Sequence, residues 1–488
     1  MTKRWNYCYL ITDISGIIVI WLPKKTKFIY LFLLLNCMEI KYLKDSNPWW
    51  ESDVWFKQDF HLQKLEKQKI KWSYELDISF DEGIYSLRGP RQIGKTSWIK
   101  QSIKKLSDKK STKNILFYSC DNLTKEGLYE LLEIFLEIAS DEKKYIFLDE
   151  IPFVDGWEKI IKHLYDLGKL KNCFLLVSGS SSLDLSKSSE RLPGRGDDDK
   201  RHFIMQPLTF KEFLLAKGFD ANKKEIELML DLKGLQKNFQ EYLLTGGFLK
   251  IINEYEENSY IKDASYDVYI KWIIGDLAKI NFKEKYAKQL LRRIIETYTS
   301  EISWSSLKSG TDVDTHNTAS KYVSALEDMF ILQIIYKMDF SKKIPDYPKS
   351  KKIYFMDPFI LFACLKWINS NDNHFEFCKN FLSDKKDKLC EGVVLNHIIT
   401  FINSKTRSNV FNYSDLVYYW TSKQKNKEVD FVYKGLAMEV KYKNSIKEDD
   451  YRALKEFDKY YLITKKEYSK NTFPIEIFLI LINKKIKF

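Results

Sequence analysis

Ile84-Tyr-Ser-Leu-Arg-Gly89-Pro-Arg-Gln-Ile-Gly94-Lys95-Thr96 is the stretch that decides how this chain is read. It contains the pattern G-x-x-x-x-G-K-[ST], an apolar run leads in and a helical pattern leads out, which is the context a phosphate loop requires. Gly89 and Gly94 allow the backbone to wrap a chain of phosphates, and the amides opening the next helix point at the anion. Gly89, Pro90, Arg91, Gln92, Ile93, Gly94, Lys95, Thr96 and Ser97 are the candidate nucleotide-binding set. Within it Lys95 is expected to reach the β- and γ-phosphates and Thr96 to hold Mg2+. The pattern alone also describes a glycine turn before a helix with an exposed lysine.

A nucleoside triphosphatase needs a carboxylate at the end of a neighbouring strand to organise the metal and the attacking water. Tyr145-Ile-Phe-Leu-Asp149-Glu150 supplies one: four apolar residues ending in two acids read as a buried parallel strand whose carboxyl end delivers charge. Asp149 is the candidate for positioning Mg2+ and Glu150 for orienting or deprotonating the water. A third strand, Cys173-Phe-Leu-Leu-Val177, runs into Ser178-Gly-Ser-Ser-Ser182. Ser178 reads either as a sensor of the γ-phosphate or as an ordinary turn residue. With residues 113–118 as a further strand and 123–139 at helical spacing, strand and helix alternate from 83 to 180. That alternation argues a parallel α/β sheet with the nucleotide at its carboxyl edge.

These elements resemble AAA-type P-loop ATPases, and more closely a prokaryotic group whose loop reads like Gly-Pro-Arg-Gln-x-Gly-Lys-Thr. The resemblance continues through Asp149-Glu-Ile151 with Trp157, Ser178-Gly-Ser, Gly194-Arg195, Gln206-Pro-Leu-Thr-Phe-Lys-Glu-Phe213 and Thr245-Gly-Gly247, and covers nearly everything after about residue 45. It implies ATP as the nucleotide, Mg2+ as its metal, and an arginine donated across a subunit or domain boundary. Arg195, with Arg191 nearby, matches that arginine; a charged surface loop is the other reading. Residues 208–275, with apolar positions recurring at three and four, look like the helical lid that closes AAA nucleotide sites.

A second informative region is Glu428-Val-Asp430-Phe-Val-Tyr433-Lys-Gly435-Leu-Ala-Met-Glu439-Val-Lys441. If Lys434-Gly435 forms a two-residue hairpin turn, the register sets Asp430 opposite Glu439 and Glu428 opposite Lys441. Strict alternation then gathers those four on one face, with Val429, Phe431, Tyr433, Leu436, Met438 and Val440 on the other. Two carboxylates side by side repel, so a cation or a lysine must lie between them. The hairpin resembles the core of PD-(D/E)XK nucleases, which implies a second metal site made by Asp430, Glu439 and Lys441 with an upstream glutamate, matched here by Glu391. A solvated amphipathic hairpin, or a nuclease-like domain retained as a binding platform, remains open.

Between these regions, helical patterns at 289–298, 304–307 and 314–329 precede a strand-like 330–336. Helix, short helix, helix and strand suggest a winged-helix-like module in which His316, Asn317, Ser320 and Lys321 would face a groove, or else a protein-docking unit. The net charge of +12 makes DNA a plausible partner without bearing on fold. Seven cysteines without a C-x-x-C pair argue against a disulfide scaffold and for a reducing cytoplasmic setting. The six histidines are dispersed without metal-ligand spacing.

At the amino end, apolar runs at 14–22 and 28–35 are each shorter than the roughly 20 residues a spanning helix needs. Residues 1–37 are expected to be an upstream extension outside the native protein, with a membrane anchor as the other reading. The expected organisation is an N-terminal segment at 38–79, an α/β AAA-type core at 80–215 and a helical lid at 216–275. A winged-helix-like module at 276–345 and a restriction-endonuclease-like α/β domain at 346–488 complete it. The expected partners are ATP and, as candidates, DNA, a second copy of the chain or another protein.

Overall fold

The computed structural model describes residues 10–13, 16–19, 43–180, 201–339, 344–347, 350–369, 373–406, 413–422, 424 and 426–486. Within the segment read as an extension, β1 (Leu10–Asp13) pairs antiparallel with β2 (Gly16–Val19). Helix α1 (Phe60–Glu66) is started by Asp59, whose carboxylate accepts from the His61 and Leu62 amides.

The nucleotide-binding half is a five-stranded parallel sheet. Its strands are β3 (Gly83–Arg88), β4 (Ile115–Ser119), β5 (Lys144–Asp149), β6 (Cys173–Gly179) and β7 (His202–Ile204), in the spatial order β4-β5-β6-β3-β7. Crossovers are made by α2 (Lys95–Ser107), α3 (Lys125–Ile138) and α4 (Trp157–Asp166). Both faces of the sheet are covered, and the period of two sorts its residues. Tyr85, Leu87, Phe147 and Leu176 enter one core, while Ile84, Ile146, Leu148 and Val177 enter another with Trp157. The open edge at β4 is closed by Asn47-Pro-Trp-Trp50. The Asn47 side chain exchanges hydrogen bonds with Phe117 N and O, and both indole N–H groups donate to Ile115 O.

Helices follow as expected: α5 (Phe210–Ala216), α6 (Glu225–Leu230), α7 (Leu232–Thr245), α8 (Leu249–Asn258) and α9 (Asp263–Lys279). The next group, α10 (Glu284–Glu296), α11 (Trp304–Lys308) and α12 (His316–Asp328), leads into β8 (Leu332–Asp339). The order matches the expected module, but β8 is not a free wing. It pairs with β10 (Lys351–Phe355) and β11 (Val417–Thr421), and the short β9 (Ile344–Pro345) lies beside it. The apolar Leu332, Ile334 and Ile335 of β8 are buried by those neighbours. The boundary expected at 345/346 therefore cuts through one sheet, and the one at 275/276 cuts through α9.

That C-terminal sheet continues through β12 (Glu428–Tyr433), β13 (Leu436–Lys441), β14 (Lys459–Thr464) and β15 (Thr472–Pro474), in the order β10-β8-β11-β12-β13-β14-β15. It packs with α13 (Pro358–Asn369), α14 (His374–Thr406), which breaks its helical geometry at Lys385, and α15 (Ile475–Lys485). The two halves are joined through polar contacts. Leu208 N donates to Gly247 O and Gly247 N to Asp357 Oδ2, each at 2.8 Å, and Phe210 N donates to His397 Nε2 at 2.8 Å. Gly246 sits at φ +60°, where a Cβ would overlap the Asp357 carboxylate, so the Thr245-Gly-Gly247 segment of the sequence is a structural joint.

Buried acids mark this half. Glu476, at the start of α15, is fully buried, and neither carboxylate oxygen has a partner beyond its own backbone amide; burial pushes its pKa up to about 8. A folded-state pKa above the unfolded one means the folded form holds the extra proton. Stability from this group is thus intact below the ordinary glutamate range and is lost as pH rises through about 8. Glu476→Gln is expected to leave Tm unchanged near pH 5 and raise it near pH 8.5, as melting curves at the two pH values would show.

Candidate nucleotide site and carboxylate cluster

The loop between β3 and α2 is held in a conformation that only a few residues tolerate. Gly89 (φ +155°), Gln92 (φ +63°) and Gly94 (φ +106°) all lie at positive φ. A Cβ on Gly89 would overlap Met205 O, so this glycine is demanded by close approach of the backbone as well. Lys95 is buried, and its Nζ donates to Gly89 O at 2.9 Å and Pro90 O at 3.2 Å, folded over the concavity the loop encloses. Burial lowers its pKa, with Glu150 and Asp149 opposing. Arg91 forms a two-point pair with Asp276 of α9, at 3.0 and 2.7 Å, and so fastens the loop to that helix.

Asp149, the last residue of β5, is buried beside the loop. Its Oδ2 accepts from Thr96 Oγ1 at 2.5 Å and its Oδ1 accepts from Ser178 Oγ. Because β6 lies between β3 and β5, Ser178 arrives from the middle strand; it is inside that strand rather than in a turn after it. Glu150 occupies the left-handed region at φ +51° and its Oε2 accepts from Ser180 N at 3.3 Å and Ser180 Oγ at 3.1 Å. Lys95, Thr96, Asp149, Glu150 and Ser178 are thus brought together at the carboxyl edge of the sheet. Arg195 and Arg191 lie outside the described residues.

A cleft of about 350 Å³ opens over Arg91 through Ser97 and Glu150 and is walled by Phe60, His61, Leu65, Gln68 and Leu249. That wall and Asp276 were not legible in the sequence. Asp59 could have announced a helix start, but nothing in the order of residues says that α1 returns to the loop. The donor set suits Mg2+: a hydroxyl and a carboxylate touch at the rim of an anion cradle, and hard cations take oxygen ligands.

The second cluster forms as well, with changes. Asp430 and Glu439 are neighbours: Asp430 N donates to Glu439 Oε2 at 3.1 Å and Val440 N to Asp430 Oδ2 at 2.9 Å. Tyr433 faces Leu436 across the expected turn. Glu391, from α14, joins them, but the cation between the acids is Lys352 of β10. Its Nζ lies 2.6 Å from Glu428, 3.1 Å from Asp430 and 3.3 Å from Glu391, with the side chain 1% exposed. The expected Glu428–Lys441 pair does not form; Lys441 pairs with Glu439 instead.

A β-bulge explains the departure. Across β11 and β12 the register shifts between Tyr418 and Trp420, so β12 carries one extra residue near Asp430. Val429 consequently packs with Val432 and Ala437, against the strict alternation expected, while Phe431, Tyr433, Met438 and Val440 share the larger core as that alternation has it. Tyr354 Oη donates to Glu391 at 2.6 Å, a further residue the sequence did not mark. Burial, then the Asp430 charge, pushes Glu391 up to about 7 and Glu439 up to about 8. Lys352 is held well above its usual range because Tyr354, Glu391, Asp430 and Glu428 outweigh its burial. Among the described residues no group of three or more His, Cys, Asp or Glu is arranged to hold a metal ion.

The five-stranded parallel sheet, the phosphate loop and the strand-end acid have the arrangement of an AAA-type P-loop domain. Comparison with known families agrees: residues 81–214 match the AAA domain model. Two domains of unknown function match further on, DUF8612 at 236–371 and DUF4143 at 386–477. An uncharacterized protein of Methanocaldococcus jannaschii is 28% identical over 411 residues, which span 82% of this chain and 83% of that protein. An uncharacterized protein of Haemophilus influenzae is 29% identical over 233 residues, 45% of this chain and 51% of that one. Among solved structures, the Aeropyrum pernix ORC1 protein in complex with DNA aligns with TM-score 0.28 and 13% identity, over 60% of this chain and 88% of that one. Thermotoga maritima RuvB aligns with TM-score 0.25 and 16% identity, over 52% and 81%.

Removing Lys352 from the second cluster would take the paired cation from Glu391, Glu428 and Asp430. Lys352→Met is expected to destabilise the protein by about 3 kcal/mol, the scale of breaking a buried ion pair. The loss should be larger at pH 8 than at pH 6 and partly restored by adding Glu391→Gln; thermal melts of the three proteins check it.

Proposed function

We propose that this chain binds ATP with Mg2+ and hydrolyses it, and that the nucleotide state governs engagement of DNA by the C-terminal half. The observation that carries the reading is the contact of Thr96 and Asp149 beside a phosphate loop already bent for an anion. Mg2+, once bound with the nucleotide, supplies positive charge against the charge developing on the phosphates. Thr96 and Asp149 hold it; the loop amides and Lys95 bind and orient the triphosphate. Glu150, turned by its left-handed backbone toward the cleft, orients the attacking water and takes its proton. Ser178 fixes the Asp149 carboxylate from the neighbouring strand. Arg195 is the candidate for transition-state charge, supplied across a contact with a second copy.

DNA is supported by the net charge of +12 and by α12, where His316, Asn317 and Lys321 are exposed and Ser320 is half-buried. In this reading Glu391, Asp430, Glu439 and Lys441 form a nuclease-like centre with a second metal. A second reading, an ATP-operated switch that binds a protein partner through a catalytically silent domain, is favoured by one observation. Lys352 stands among the carboxylates, where the nuclease reading needs a cation.

ATP turnover with and without DNA, with DNA integrity followed in the same tubes, tests both readings. Lys95→Ala is expected to abolish turnover, and Glu150→Gln to lower it roughly 100-fold or more while ATP still binds. DNA-stimulated, salt-sensitive turnover supports the DNA reading, and nicking lost in Asp430→Ala supports the active centre. Turnover indifferent to DNA, with the DNA intact, supports the switch; turnover unaffected by Lys95→Ala overturns the proposal.

A further inference from the structure

Arg91 lines the cleft over the phosphate loop beside Gln92, Gly94 and Lys95, yet its guanidinium fork is given to a different element. Nε donates to Asp276 Oδ2 at 3.0 Å and Nη2 to Asp276 Oδ1 at 2.7 Å. The cleft lies within reach of the same charge: Glu150 and Asp121 act on Arg91, and Arg91 acts on Lys95. A planar fork matches phosphate oxygens as well as it matches a carboxylate, so a triphosphate on the loop and Asp276 compete for one set of donors.

Asp276 has a second partner that survives such an exchange. Its side chain is 6% exposed, and a buried carboxylate left alone would be costly. Lys279, one turn further along α9, lies 3.3 Å from Asp276 Oδ1 and keeps the charge paired. The same Lys279 Nζ sits 4.0 Å from the ring centre of Phe153, which follows closely on Glu150. The last turn of α9 therefore receives one contact from the phosphate loop and another from the segment after the strand-end acids.

We infer that Asp276 is a competitor that holds ATP affinity down, and that bound phosphate takes Arg91 from it and so frees the last turn of α9 from the loop. The inference rests on the proposed nucleotide reading and adds to it the internal contact given up when phosphate binds. The exchange is between anions, so inorganic tripolyphosphate should act as ATP does. By linkage, any event that draws α9 away from the loop tightens the nucleotide by the same factor.

Calorimetry of ATP and tripolyphosphate on the full chain, with hydrogen exchange of the α9 amides, tests the exchange. Asp276→Asn is expected to tighten both ligands about tenfold, within the ordinary range of coupling between sites, and to lose that gain when Arg91→Ala is added. A pair that only braces the loop predicts the opposite sign, weaker binding in Asp276→Asn. In the wild type, tripolyphosphate should speed exchange of the amides at 276–279, a readout that needs no variant. If Asp276→Asn binds no more tightly, if its gain survives Arg91→Ala, or if exchange on α9 ignores the ligand, the inference falls; loss of binding in Lys95→Ala then leaves the phosphate site standing. If the wild type binds neither ATP nor tripolyphosphate, both fall.

Discussion

The Asp149 carboxylate is the point on which the nucleotide half converges. It is a buried charge, costly unless paired, and it is compensated by two hydroxyls from two different segments: Thr96 from the start of α2 and Ser178 from β6. Meeting both demands fixes the strand order, because β6 must lie between β3 and β5 for Ser178 to reach across. The same requirement brings Thr96, and with it Lys95 and the loop, to the end of β5. A carboxylate held this way is preorganised to hold a cation where the anion cradle opens.

From that point contacts run outward without a break. Arg91 joins the loop to α9 through Asp276, and Gly247 joins the end of α7 both to Leu208 at the exit of the core and to Asp357 beside α13. His397, whose pKa burial lowers to about 4 and which therefore stays neutral, receives the Phe210 amide and carries the connection into α14, the helix that bears Glu391. The two halves share packed polar joints, which is the physical requirement for one to respond to the other. Lys352 makes the far end of this path a set of ion pairs in a dry setting, where removing one partner matters more than the pairs contribute when intact.

Much of this was legible in the residue order because it depends on local rules. The glycines of the phosphate loop, the apolar strands with period two and the Asp149-Glu150 ending are short-range patterns, and the structure assembles them as read. The Lys434-Gly435 turn was legible for the same reason, and Lys434 and Gly435 both lie at positive φ. What escaped were pairings set by distant chain segments. Lys352 reads as one of two lysines in a strand, and only the sheet brings it near Asp430. The bulge in β12 depends on its neighbour β11, so strict alternation misplaced Val429, and the Glu428–Lys441 pair gave way. β8 completed a helical module on the page, whereas its apolar face needed the strands β10 and β11 that come later in the chain.

The central claim is that Thr96 and Asp149 hold a metal together with a nucleotide on the loop. Its most direct test is the affinity for ATP measured by calorimetry with and without Mg2+, in the wild type and in Asp149→Asn. The account predicts that Mg2+ tightens binding in the wild type and that the variant loses this gain while still binding ATP. Equal tightening by Mg2+ in both proteins would contradict it.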